Sequence, residues 1–166
     1  MTLTIAPISG PDDIAAATDL VRELTAWAMT LDPDAAEAPA FAGIERELAT
    51  LPEKYAPPDG CFLLARTDGR PAGCVSFCAH PRAGTVELKR MYVRPDQRGR
   101  GVGAGLVQDL IARARAQGAR RIVLDSYHTM TGAHRIYRAA GFRDVGPPDG
   151  FPDKFVPVVV FMELDL

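Results

Sequence analysis

Thr85-Val-Glu-Leu-Lys-Arg-Met-Tyr-Val93, followed by Arg94-Pro-Asp-Gln-Arg-Gly-Arg-Gly-Val-Gly-Ala-Gly105, is the stretch on which the fold turns. Residues 85–93 are β-branched, apolar and aromatic enough to read as a strand, and Pro95 breaks it. Val86 and Leu88 share one parity, Met91 and Val93 the other. A β-bulge near 88–91 gives that pattern, and so does a strand buried on both faces. Glycines follow at 99, 101, 103 and 105, and an amphipathic helix begins at once, with Val102, Leu106, Val107, Leu110, Ile111 and Ala114 on one face and Gly118 as its stop. Glycines in alternation at a helix start weaken it by roughly 1 kcal/mol each relative to alanine. They also let the backbone approach a ligand closely. Unpaired N–H groups at the helix start favour a phosphate or pyrophosphate, and Arg98 and Arg100 add positive charge.

Working outward, Leu3–Ile8 reads as a first strand. Ser9 and Asp12 resemble a capping box ahead of a helix over 11–29. Residues 30–40 read as a loop, and a second helix over 40–50 ends at Pro52. Two strands, 61–66 and 73–79, flank Asp68-Gly69, a strong hairpin signal. After the 101–117 helix come a short buried strand at 121–125 and a helix over 131–140 ending at Gly141. Residues after Phe142 read as irregular until a strand at 156–164. The pattern is an α/β (α+β) fold, a single domain over residues 1–166.

The chain has 166 residues, a mass of 17.9 kDa, a net charge of −2 and a pI near 5.9. That length buries a core without disulfides or metal. There is no global basic field for nucleic acid or an anionic membrane. The longest apolar run, Val156–Met162, is far below the ~20 residues of a membrane span, and the N-terminus lacks signal-peptide character. Cys61, Cys74 and Cys78 read as small buried hydrophobes in a reducing, cytoplasmic setting, and no metal site is expected.

A P-loop is excluded because no Lys-Ser or Lys-Thr occurs. Gly99-x-Gly101-x-x-Ala104 loosely fits a dinucleotide fingerprint, but the preceding strand belongs to an antiparallel meander. The Arg98-Gly-Arg-Gly-Val-Gly103 run matches R/Q-x-x-G-x-G/A in full. Upstream lies Leu88-Lys-Arg-Met-Tyr-Val-Arg-Pro95, downstream Ala133-x-x-x-Tyr137-x-x-x-Gly141-Phe142. Together these elements resemble the GNAT (GCN5-related N-acetyltransferase) superfamily over about residues 60–145. One departure is Met130, where the family often has Asn.

The resemblance implies a mixed, mostly antiparallel sheet of six to seven strands flanked by about four helices and split between strands 4 and 5. It implies acetyl-CoA as co-substrate, its pyrophosphate on the backbone of Arg98, Gly99, Arg100, Gly101, Val102 and Gly103. The pantetheine arm would pair with Met91, Tyr92 and Val93, with Ala133 nearby. Tyr137 matches the family's tyrosine acid, the other reading being a core aromatic. Glu87, eleven residues before Arg98, matches the base of the histone-acetylating branch; the other reading is a strand residue paired with Lys89 or Arg90. Asp125 and His128 are runners-up.

An amine of pKa ~10.4 is only about 0.04% neutral at pH 7, so its attack on a thioester needs a base or a desolvating site. Trp27, Met29, Tyr127, Phe151 and Phe155 are candidates to line the acceptor site, with Trp27, Asp125 and His128 the leading substrate contacts. Asp32, Asp34 and Glu37 hint at a cationic acceptor. His134 reads as exposed, and His80 is uninformative. The expected activity is acetyl transfer to a primary amine of a small molecule or peptide by direct attack, since no Ser-His-Asp or Cys-His set stands out. The alternatives are a non-catalytic acyl-CoA sensor and a nucleotide-binding oxidoreductase. The C-terminal strand is a candidate dimer edge.

Overall fold

The structure is a computed structural model describing residues 1–166. Its strands are β1 (Leu3–Pro7), β2 (Cys61–Thr67), β3 (Arg70–Ala79), β4 (Thr85–Val93), β5 (Arg121–Tyr127), β6 (Arg143–Val145) and β7 (Val159–Asp165). Its helices are α1 (Gly10–Leu31), α2 (Ile44–Ala49), α3 (Leu51–Lys54), α4 (Val102–Ala116) and α5 (Thr131–Ala139). One seven-stranded sheet runs β1-β2-β3-β4-β5-β7-β6, antiparallel throughout except for the β4–β5 pair. No helix is long and apolar enough to cross a membrane.

Local chemistry explains most boundaries. Asp68 and Gly69 both take positive φ, 48° and 80°, and turn β2 into β3 as the Asp-Gly pair predicts. α4 buries the predicted face, and Gly118 follows it at φ 84°. Ser9 makes no side-chain cap on α1; instead its N–H donates to Asp13 Oδ2 at 2.8 Å, so Asp13 and not Asp12 closes the first turn. Proline at a helix start costs no hydrogen bond, so Pro52 lies in the first turn of α3 rather than merely ending α2.

Two strand expectations need correction. Residues 156–158 belong to a 3-10 turn, since Pro157 has no N–H for a ladder, and β7 begins at Val159. Arg143–Val145, expected to be irregular, forms β6 against β7. β7 therefore lies between β5 and β6. It is an interior strand, not a free edge for a dimer.

The sheet separates two apolar clusters. One, under α4 and α5, includes Phe77, Leu106, Leu110, Ile122 and Met162. The other, under α1 to α3, includes Leu20, Val21, Leu51, Phe62 and Cys74. Cys61, Cys74 and Cys78 are free; burial pushes the Cys61 thiol to about 11 and Cys74 to about 12.

Glycine 73 marks where β3, β4 and α4 are closest. A Cβ there would lie 2.5 Å from Tyr92 O and 3.3 Å from Leu106 Cδ1. Gly73→Ala should therefore cost about 1–3 kcal/mol and lower the melting temperature by several degrees. Gly132→Ala in α5, with open space around it, should leave the melting temperature unchanged or slightly raised. Thermal melts of the two variants check this.

Candidate active site

Strand β4 has a full partner on one side only. β3 pairs along it, but β5 meets it only at Thr85, Val86 and Glu87 and then diverges. Arg94 N–H bonds Ala72 O on β3 at 2.9 Å. By strand alternation the N–H groups of Met91 and Val93 face the open edge. Val93 O faces the same way and accepts from Arg98 Nε at 3.0 Å.

The expected bulge is present. Cys74 pairs with Tyr92 and Ser76 with Lys89, so Arg90 and Met91 together oppose Val75. Arg90 takes φ +57°, a left-handed conformation rare for a long side chain. Two β3 side chains satisfy the displaced carbonyls: Cys74 Sγ donates to Arg90 O at 3.2 Å, and Ser76 Oγ donates to Lys89 O at 3.0 Å. After the bulge the parity switches. Leu88 and Met91 both pack on the α4 side, and Tyr92 on the α1 side.

Two concavities meet here. A groove of about 730 Å³ runs along the open edge. Met91, Tyr92, Val93, Arg98, Gly99, Gly101, Val102, Gly103 and Ala133 line it. The first helical turn of α4 leaves its N–H groups without intrahelical partners, and Gly105 N–H, bonded to Gly101 O at 2.9 Å, is the first to find one. Gly99 and Gly101 have positive φ and open space where a Cβ would stand, so the cradle fits a pyrophosphate. Arg100 is exposed outside the lining. Trp27, expected at the acceptor, lines this groove instead, with the Arg98 guanidinium 4.8 Å over its ring.

The second concavity is a cavity of about 60 Å³, walled mostly by apolar side chains, among them Leu24 of α1, Ala38 to Phe41 of the turn before α2, Leu88 and Met91 of β4, and Phe151. Lys89, Arg90, Asp125, Ser126, Tyr127 and Tyr137 bring polar atoms to it. Met91 and Met130 line both spaces, so the groove and the cavity lie side by side at the bulge. Of the other side chains expected to line the acceptor site, Tyr127 and Phe151 line the cavity; Met29 and Phe155 do not. The Tyr127 hydroxyl is buried without a hydrogen-bond partner. Lys154 Nζ bridges Glu37 Oε2 at 2.9 Å and Asp34 Oδ2 at 3.3 Å, while Asp32 accepts from Asp34 N–H. Lys154 neutralises part of this acidic cluster, and none of the three carboxylates lines the cavity.

The carboxylate inside the cavity is Asp125. Burial raises its pKa, the nearby Glu87 charge adds to the rise, and Lys89 opposes it. Glu87 does not line the cavity; it is ion-paired to Lys89 at 2.9 Å. Burial also pushes the Tyr137 phenol above its ordinary value, with Asp125 contributing, so it is a protonated donor at neutral pH. His128 is exposed and lines neither space.

His134 departs from its expected exposure. It is only 4% exposed, with Nε2 and Ser126 Oγ hydrogen-bonded at 3.0 Å. One cue was visible in the spacing, since His134 and Tyr137 share a helix face.

Comparison with known proteins agrees with this geometry. Residues 28–142 match the model of the Acetyltransferase (GNAT) family. The chain is 34% identical over 166 residues to an uncharacterized N-acetyltransferase of Schizosaccharomyces pombe, covering 99% of this chain and 95% of that one. It is 36% identical over 130 residues to the IAA acetyltransferase of Azospirillum brasilense, covering 77% and 80%. An N-acetyltransferase of Thermoplasma acidophilum, solved in complex with coenzyme A, shares the fold at TM-score 0.74, 19% identity and full coverage of both chains. The fold is that of the GNAT acyltransferases. The chain belongs to the GNAT acetyltransferase family.

Burial lowers the His134 pKa below its ordinary 6.5, and the Arg138 charge adds to this. Below pH 6.5 the unfolded chain binds a proton that the folded chain refuses, so this group takes stability away as pH falls. The melting temperature should therefore drop between pH 7 and pH 5 by more in the native protein than in His134→Leu. Melts across that range check it.

Proposed function

We propose that the chain transfers an acetyl group from acetyl-CoA to a primary amine of a small molecule or peptide by direct attack. One observation carries this reading. The glycine-rich groove and the apolar cavity lie against each other at Met91 and Met130, so a thioester in the groove would stand next to an amine in the cavity.

The residues divide the work by chemistry. The backbone from Arg98 to Gly103 holds the pyrophosphate, and the open edge of β4 takes the pantetheine amides as an added strand. A backbone N–H at the bulge, near Met91, faces the thioester carbonyl and stabilises the negative charge that develops on its oxygen. Asp125 accepts the ammonium proton, directly or through water, and the apolar cavity walls favour the neutral amine. The amine nitrogen then forms its bond to the carbonyl carbon, the carbon–sulfur bond breaks, Tyr137 gives its proton to the departing thiolate, and the second proton of the acylated nitrogen passes to the Tyr137 oxygen, directly or through water, leaving a neutral amide. Asp125 takes the role first assigned to Glu87, because it lies in the cavity and Glu87 is held by Lys89 outside it.

Thermal unfolding with acetyl-CoA, CoA, NADH and ATP in parallel tests the ligand class. A ligand at 100 times its Kd stabilises the fold by about 2.7 kcal/mol. Acetyl-CoA and CoA should shift the melt and NADH and ATP should not; the reverse pattern overturns the family chemistry.

Tyr137→Phe and Asp125→Asn, assayed by thiol release against a panel of primary amines, test the roles. Both variants should keep their acetyl-CoA affinity and lose turnover. Native kcat/KM should rise with pH through an apparent pKa above the ordinary 3.8 of an aspartate, and Asp125→Asn should abolish that limb. Indifference to Tyr137→Phe would favour a sensor of acyl-CoA over an enzyme.

A further inference from the structure

The bulge that turns Met91 N–H to the open edge carries an ion pair to a distant part of the chain. Glu47, on α2, is 43 residues from Arg90 in sequence. Arg90 Nε donates to Glu47 Oε1 at 2.7 Å and Arg90 Nη2 donates to Glu47 Oε2 at 2.8 Å, a two-pronged pair. Arg90 Nη1 donates to Ala40 O at 2.6 Å, so all three guanidinium nitrogens are held. Tyr55 OH donates to Glu47 Oε1 at 2.7 Å, and Lys54 Nζ ion-pairs with Oε2. Both side chains of the pair are 7% exposed. Burial would raise the Glu47 carboxyl, but Arg90, Lys54 and Tyr55 outweigh it and hold it at about 2, so the pair is charged at neutral pH.

A buried ion pair is weak evidence for net stability. It is a device for fixing geometry, and here the residue it fixes is unusual. Arg90 is one of two non-glycine residues with positive φ, and the other, Asp68, sits in a hairpin turn where that conformation is common. A left-handed conformation at a non-glycine residue is strained and persists only where the surroundings impose it. Arg90, with Ala40 and Phe41, also lines the acceptor cavity. The same side chain thus ties the cavity wall to the backbone beside Met91.

We infer that Glu47 and Arg90 are positioning residues for acetyl transfer. Their ion pair imposes the left-handed turn at Arg90 and so aims the Met91 N–H at the thioester carbonyl. This rests on the acetyltransferase reading above. It predicts that glycine at position 90, which takes positive φ without an anchor, stands in for the pair better than alanine does.

The test needs no known acceptor. The full-length chain, labelled with 15N, is titrated with acetyl-CoA and separately with CoA, which lacks the carbonyl. The native protein, Glu47→Gln, Arg90→Ala and Arg90→Gly are compared. In the native protein the Met91 amide should shift further with acetyl-CoA than with CoA. Glu47→Gln and Arg90→Ala should lose that difference, while Gly101 and Gly103 respond to both ligands as in the native protein, which shows that the groove is still folded. Arg90→Gly should retain at least part of it.

An undiminished acetyl-specific shift in both Glu47→Gln and Arg90→Ala overturns the inference. So does an Arg90→Gly variant no better than Arg90→Ala. If neither ligand moves any groove amide in the native protein, the coenzyme reading itself has failed, a result distinct from either.

Discussion

The interaction on which the rest depends is the incomplete pairing of β4. A strand inside a sheet satisfies its backbone on both sides. β4 does so only at Thr85–Glu87 and then leaves one edge open beside a diverging β5. The open edge creates the groove, and the bulge at Arg90–Met91 decides which groups face it. Without the extra residue, period-two alternation would turn Met91 and Val93 to the opposite side. The nearby α4 start and the cavity both take their positions from this splay.

Each cluster under the sheet serves one side of that opening. α4 packs across β1 to β4 and presents its N-terminal turn to the end of β4. Gly101 and Gly103 give a bare backbone facing the groove, while Gly105 gives up helix stability to let Ile5 of β1 approach. On the other face, α1 and the turn over residues 38–41 supply part of the cavity wall, and α2 supplies the Glu47 anchor. α5 packs beside α4 and delivers Tyr137 to the cavity and Ala133 to the groove. The polar atoms of the cavity stand among apolar walls, where a charge is costly and a proton transfer correspondingly favourable.

Local patterns were legible in the sequence where a single element decides the outcome. The parity change from Val86 and Leu88 to Met91 and Val93 announces the bulge. The spaced glycines before the Val102 face announce the cradle, and Asp68-Gly69 announces the hairpin. What stayed hidden depends on long-range packing. Glu47 looks like any charge on a short helix until Arg90 is brought to it. Asp125 and Glu87 both read as carboxylates in strands, and only the cavity separates them. Trp27 is an aromatic on a helix face, and nothing local says that Arg98 will stack on it. β6 is three residues with two charges, too short for alternation to show, and Pro157 disguises where β7 begins.

The central claim is that the thioester of acetyl-CoA lies at the bulge, between the groove and the cavity. A crystal structure of the chain with acetyl-CoA tests it most directly. The account predicts the pyrophosphate on the backbone of residues 98–103, the pantetheine along Met91–Val93, and the thioester oxygen within about 3 Å of the Met91 nitrogen. An acetyl group elsewhere, or a coenzyme bound outside this groove, would contradict it.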